Sequence, residues 1–82
     1  MNKFNYLDLD GHQLHMLLVI LEKESITKAA DNLGLTQSAV SHALDKMRLI
    51  CNDPLFVKSG RNISPTERAR QLGNQARALL DH

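Results

Sequence analysis

Apolar residues recur at helical spacing from the tenth residue onward. The first such stripe follows the i, i+3, i+4, i+7 pattern of one helix face, at Leu14, Leu17, Leu18 and Leu21. Asp10 precedes the stripe as a suitable N-cap, and Gln13, three positions later, completes a capping box. The pattern predicts a first helix that begins after Asp10 and ends in the polar residues 22–24, preceded by a loose leader over residues 1–9.

Two more helices, joined by a tight turn, are predicted directly after the first. The second covers residues 26–33, with Ser25 as its cap and Gly34 where a helix ends in a left-handed residue. The third follows Thr36 as N-cap and ends at Arg48 or Ile50, before a helix-breaking Asn-Asp-Pro sequence.

The third helix divides into an apolar and a polar face. Its inward positions are Val40, Ala43, Leu44 and Met47, and its opposite face carries Ser38, Ser41, His42 and Asp45. Long charged side chains would suit a merely solvated face better. Short polar side chains suit a surface that approaches another polar surface closely, such as the floor of a DNA groove.

A short hairpin and a fourth helix are predicted in the remaining chain. The strands cover residues 55–58 and 61–63, with Ser59-Gly60 as the turn. The fourth helix starts near residues 64–67, where Ser64 with Glu67 forms a capping box and Thr66 is a competing cap. The predicted fold is mainly α, with three helices, a two-strand wing and a C-terminal helix.

The fourth helix carries a narrow apolar seam, formed by Ala69, Leu72, Ala76, Leu79 and Leu80. A seam of this width favours a partner helix, so we expect these residues to form a homodimer interface. The alternative is that the seam packs on the first helix of the same chain.

Composition and charge narrow the function. The 82 residues suffice for one domain, and the single Cys51 excludes an internal disulfide. The sequence shows no signal-peptide pattern, and it has no apolar run of the roughly 18 residues that a membrane span requires. We therefore expect a cytoplasmic protein. Residues 36–77 hold seven Lys and Arg against three Asp and Glu, a net +4 that suits a polyanion.

Signatures of catalysis are missing from the sequence. Its glycines form no phosphate-binding loop, and no metal-ligand spacing relates Cys51 to His12, His15, His42 or His82. We therefore predict neither an enzyme nor a cofactor. In contrast, the residues that a helix-turn-helix requires are present. The small residue of its first helix is Ala30, the turn residue is Gly34, and the apolar anchor of its second helix is Val40.

Three runs of sequence add a family resemblance. They are SITKAADNL (25–33), LTQSAVSHAL (35–44) and DPLFVKSGR (53–61). Together they resemble the N-terminal DNA-binding domain of LysR-type transcriptional regulators, in the branch that includes LeuO and NodD, over about residues 8–80. The resemblance implies a winged helix-turn-helix over residues 10–64 and a linker helix over residues 65–82. It also implies binding of a pseudo-palindromic DNA site as a homodimer, and a small-molecule effector domain outside this chain.

The resemblance also implies roles for individual residues. Base contacts are expected from Gln37, Ser38, Ser41, His42 and Arg61, and phosphate contacts from Lys28, Thr36, Lys46 and Lys58. Two positions depart from the family pattern, which usually has Pro at Ser38 and Arg or Lys at His42. His42 leaves two alternatives open, a pH-sensitive phosphate contact or a neutral imidazole that bonds a base or water. The rival function is a winged-helix module that binds proteins.

Overall fold

A computed structural model describes the backbone of residues 9–80 and the side chains of residues 9–79. Its elements are α1 (Gly11–Lys23), α2 (Ile26–Leu33), α3 (Gln37–Cys51), β1 (Phe56–Ser59), β2 (Asn62–Pro65) and α4 (Glu67–Leu80). The mainly α fold with a two-strand wing is therefore confirmed. Of the predicted leader, residues 1–8 lie outside the described residues, and Leu9 is buried in the core.

The first three helices begin where their capping residues predict. Asp10 and Gln13 form the reciprocal capping box at the start of α1, with each side chain accepting from the other's backbone N–H. Ser25 caps α2 and Thr36 caps α3, each accepting from the backbone N–H three residues on. These short-range bonds satisfy N–H groups that a helix start leaves unpaired.

The core is built around α1, which packs against α2 and α4 along its length. Leu17 and Ile20 of α1 are fully buried, and α2 contributes Ala29 and Ala30. The inward face of α3 supplies Val40, Leu44 and Met47, which confirms the predicted apolar face.

The wing is an antiparallel hairpin whose turn lies one residue later than predicted. Ser59 pairs with Asn62, so the two turn residues are Gly60 and Arg61 rather than Ser59 and Gly60. Gly60 has a φ of +64°, which suits glycine at the first turn position. As a consequence, Arg61 stands in the exposed turn itself and not in the second strand.

The start of α4 resolves the choice between two caps. Ser64 and Pro65 belong to β2, and the Thr66 hydroxyl accepts from the backbone N–H of Ala69 at 3.2 Å. Thr66 is therefore the cap, and the helix begins at Glu67. The sheet pairing of Pro65 with Phe56 prevents the earlier start.

Most of the predicted dimer seam is used inside the chain. Ala69, Leu72 and Ala76 are at most 2% exposed, and α4 packs on α1 so closely that a Cβ on Gly73 would collide with Leu21. These three residues pack within one chain, against α1, and their predicted part in a dimer interface stays a prediction. Leu79 remains 46% exposed, and Leu80 lies outside the described side chains.

Replacing Leu72 by Ala is expected to lower the free energy of unfolding by about 3 kcal/mol, because it opens a cavity between α4 and α1. Leu79→Ala on the same helix is the matched control and is expected to cost less than about 1 kcal/mol. Urea denaturation at several protein concentrations measures both and separates folding from association. Equal losses in the two variants would contradict the packing of Leu72 within one chain.

Candidate nucleic-acid interface

The helix-turn-helix has the geometry that its three marker residues predict. Ala30 of α2 is 2% exposed, and Val40, in the first turn of α3, is fully buried. Gly34 has a φ of +70°, and its N–H donates to the carbonyl groups of Ala30 and Asp31. This left-handed residue ends α2 and lets the chain turn into α3 within two residues.

The outward face of α3 presents short polar side chains to solvent. The residues predicted to contact bases from this helix are all exposed, and they are Gln37, Ser38, Ser41 and His42. The first turn of α3 contains no acidic residue, so its partial positive charge is not neutralised locally. The helix start is therefore open to a polar or anionic partner.

The wing meets α3 at a cleft of about 200 Å³. Ser41 of α3 and Lys58 of β1 both line it, together with Arg48. The remaining lining is apolar, from Ile26, Leu44, Phe56 and Ile63. Arg61 is exposed in the hairpin turn, three residues beyond Lys58. The structure thus brings Ser41 of the polar α3 face and Lys58 of the wing to one surface.

The predicted phosphate contacts lie around this surface. Lys28 on α2 and Lys46 on α3 are exposed and do not line the cleft. The Thr36 hydroxyl accepts from the N–H of Ala39 at 3.1 Å, which leaves its own O–H to donate to a ligand.

Part of the basic charge counted in the sequence is engaged within the protein. Arg48 pairs with Asp45 at 3.0 Å, and Arg70 pairs with Glu67 at 3.4 Å. Arg48 also donates to two carbonyl groups beyond α3. Sequence reasoning missed this role, because spacing along a helix does not reveal contacts with a loop that follows it. Lys46, Lys58 and Arg61 remain exposed and form no ion pair with any residue that the structure describes.

The described part of the chain has neither a metal-binding cluster nor a membrane-spanning helix. Between residues 9 and 79, no three His, Cys, Asp or Glu side chains cluster in a way that would hold a metal ion. The helices described are too short or too polar to cross a membrane. Cys51 is buried at the end of α3.

Comparison with known proteins identifies the fold and its relatives. Residues 12–70 match the family model of bacterial regulatory helix-turn-helix proteins, lysR family. The chain is 40% identical over 72 residues to the transcriptional regulator LeuO of Escherichia coli (strain K12), an alignment that covers 88% of this chain and 23% of LeuO. A crystal structure of a probable transcriptional regulator from Pseudomonas aeruginosa superposes with a TM-score of 0.82 at 33% identity, covering 88% of this chain and 24% of that one.

A DNA complex shares the same fold. The BenM DNA-binding domain bound to benA site 1 DNA superposes with a TM-score of 0.82 at 23% identity, covering 89% of this chain and 82% of that one. Curated relatives that the chain matches are named as transcriptional regulators, and the chain spans less than a quarter of their length. The match over residues 12–70 confirms the resemblance seen in the sequence. The chain belongs to the LysR family of bacterial regulatory helix-turn-helix proteins.

Proposed function

We propose that this chain binds double-stranded DNA in a sequence-specific manner, as the DNA-binding unit of a bacterial transcription regulator. In this proposal α3 enters the major groove and the wing reaches the adjacent minor groove. The observation that carries it is the shared cleft, where Ser41 of α3 and Lys58 of the wing face the same surface. The BenM domain, which has this fold, is solved in complex with DNA, and this supports DNA binding by the fold.

The base-reading role of α3 follows from its side chains. Gln37 stands in the first turn, where its amide reaches an adenine edge with two hydrogen bonds. Ser38, Ser41 and His42 extend the same exposed surface along the next turn. None of them carries a negative charge that would repel phosphates, and the nearest acidic residue, Asp45, is paired with Arg48.

The wing and the surrounding cations supply the remaining contacts. Arg61 lies in the hairpin turn, where a guanidinium reaches into a narrow minor groove of A/T-rich DNA. The phosphate contacts are assigned to Lys28, Thr36, Lys46 and Lys58. Such contacts fix the register of the protein on DNA without reading its sequence.

We further propose that the regulator works as a homodimer on a pseudo-palindromic site, with its recognition helices in successive major grooves. The exposed side of α4, which includes Leu79, is available for this contact. The DNA-binding unit then extends to the end of β2, and α4 forms the linker helix. Because its target is chromosomal DNA, the protein acts in the cytoplasm. The effector domain implied by the resemblance stays a prediction.

Selection of duplexes from a randomised pool tests DNA binding without knowledge of the target. Fluorescence anisotropy on the selected duplex is then measured at about 50 mM and about 200 mM salt, where several phosphate contacts are expected to weaken affinity by a factor of at least ten. A protein-interaction module would select no sequence and would bind no duplex at low salt. That result would overturn the proposed function.

Gln37→Ala is expected to relax selection for one adenine in each half-site and to lower affinity for the selected duplex by about tenfold. Gln71→Ala, the same substitution on the exposed side of α4, is the control and is expected to leave selection unchanged. Repeating the selection with each variant measures the effect. An unchanged preference in the Gln37 variant would remove this residue from the base readers.

Arg61→Ala is expected to lower affinity by about tenfold and to flatten the salt dependence by about one counterion, because one cation leaves the minor groove. The loss should be greatest on duplexes with A/T-rich flanks. Arg77→Ala, an exposed cation at the far end of α4, provides the comparison. If both variants lost affinity equally, the effect of Arg61 would reflect net charge and not a groove contact.

A further inference from the structure

Arg48 connects α3 to the wing through a single side chain. Its Nε donates to the carbonyl oxygen of Pro54 at 2.7 Å, and its Nη2 donates to the carbonyl oxygen of Phe56 at 3.1 Å. Its Nη1 donates to the carboxylate of Asp45 at 3.0 Å, one turn earlier on the same helix. The guanidinium is therefore held from three directions, by α3, by the loop after α3 and by the first residue of β1.

A two-strand hairpin needs such external support. Hairpins of two strands are at best marginally stable alone, so their orientation is set by what they pack against. In β1 only Phe56 is buried, while Val57, Lys58 and Ser59 are exposed. Phe56 is thus the apolar anchor of β1, while Ile63 of β2 packs against the core and donates its N–H to the Glu24 carbonyl. The Arg48 bond is made to the backbone of Phe56.

The position of Arg48 links this support to the proposed DNA surface. Arg48 follows Ser41 by seven residues, or about two helical turns, so both lie on the side of α3 that faces the wing. Lys58 follows Phe56 by two residues, which places it about 7 Å along the strand on the same face. Ser41, Arg48 and Lys58 accordingly line one cleft. A shift at the Arg48 contact would move Lys58 and Arg61 relative to Gln37 and Ser41.

The arrangement requires arginine in particular. A planar guanidinium has donors that point in several fixed directions, whereas a lysine ammonium is a compact point charge on a flexible stem. Lysine at this position would keep the positive charge without holding Asp45, Pro54 and Phe56 together. The side chain of Arg48 is 38% exposed, and an ion pair this exposed contributes little stability by itself. The effect of the Arg48 bonds is therefore on the orientation of the wing and not on the free energy of unfolding.

We propose that Arg48 is a positioning residue that fixes the wing relative to the recognition face of α3, and so sets the spacing between the major-groove and minor-groove contacts. This inference rests on the proposed function for its effect on DNA. It assigns Arg48 no direct contact with DNA, although the residue lies on a basic surface.

A double-mutant cycle between Arg48 and Arg61 tests the proposal. Arg61→Ala is expected to cost about tenfold in affinity in the natural protein but less than about threefold in the Arg48→Lys or Arg48→Met background, because the wing is no longer held in place. Arg48→Lys should resemble Arg48→Met, since both lack the fork of donors. Arg77→Lys and Arg77→Met on α4 serve as matched controls, and the cost of Arg61→Ala should remain full in both.

Two results would overturn the proposal. One is an Arg48→Lys variant that binds like the natural protein, which would assign the role of Arg48 to its charge. The other is an Arg61→Ala cost that is the same in every background. Thermal unfolding of each variant verifies that it is folded at the assay temperature, and Arg48→Lys provides the cycle if Arg48→Met does not fold.

A measurement without DNA separates this proposal from the proposed function. Residual dipolar couplings of the wing amides report the orientation of the hairpin relative to the helices. They are expected to change in Arg48→Lys and to stay unchanged in Arg77→Lys. If the natural protein bound no duplex at low salt, the proposed function would fail, and these couplings would still decide whether Arg48 orients the wing. Unchanged couplings would reject the positioning role.

Discussion

The close packing of α2 against α1 and α3 fixes the position of α3, the helix proposed to enter the major groove. Ala29 and Ala30 are almost fully buried, and their small side chains allow the neighbouring helices to approach. Gly34 then turns the chain with a positive φ that side chains other than glycine adopt at a cost. A larger residue at Ala29 or Ala30 would push α3 away from the body of the domain, and with it the α3 side chains proposed to read DNA.

Stability and recognition are divided between opposite faces of the same helix. The described part of the chain buries no polar or charged residue, and the core consists of apolar side chains. The apolar face of α3 contributes to that core, so its polar face is left free for a ligand. Arg48 lies between the two faces of α3. Its guanidinium donates to backbone carbonyl groups of the loop after α3 and of the wing.

The connection between α3 and the wing is strained but well supported. Leu55 has a φ of +65° although it is fully buried, a left-handed conformation that costs a leucine roughly 1–2 kcal/mol. Burial of its side chain contributes about 2 kcal/mol in the opposite direction. The carboxylate of Asp53 accepts from the Leu55 N–H and from the Thr66 hydroxyl, both at 2.8 Å. One side chain thereby joins the loop before the wing to the helix after it.

Local patterns were enough to predict the first three helices and their caps, because capping bonds span three residues and each apolar stripe repeats within one helix. They also indicated the exposed polar face of α3, for the same local reason. Features that depend on residues distant in sequence became visible only in the folded chain. Pairing of Pro65 with Phe56 placed the start of α4 after β2. Packing on α1 buried Ala69, Leu72 and Ala76 of the α4 seam and left Leu79 exposed. The role of Arg48 was likewise settled by carbonyl groups that only folding brings within reach of its guanidinium.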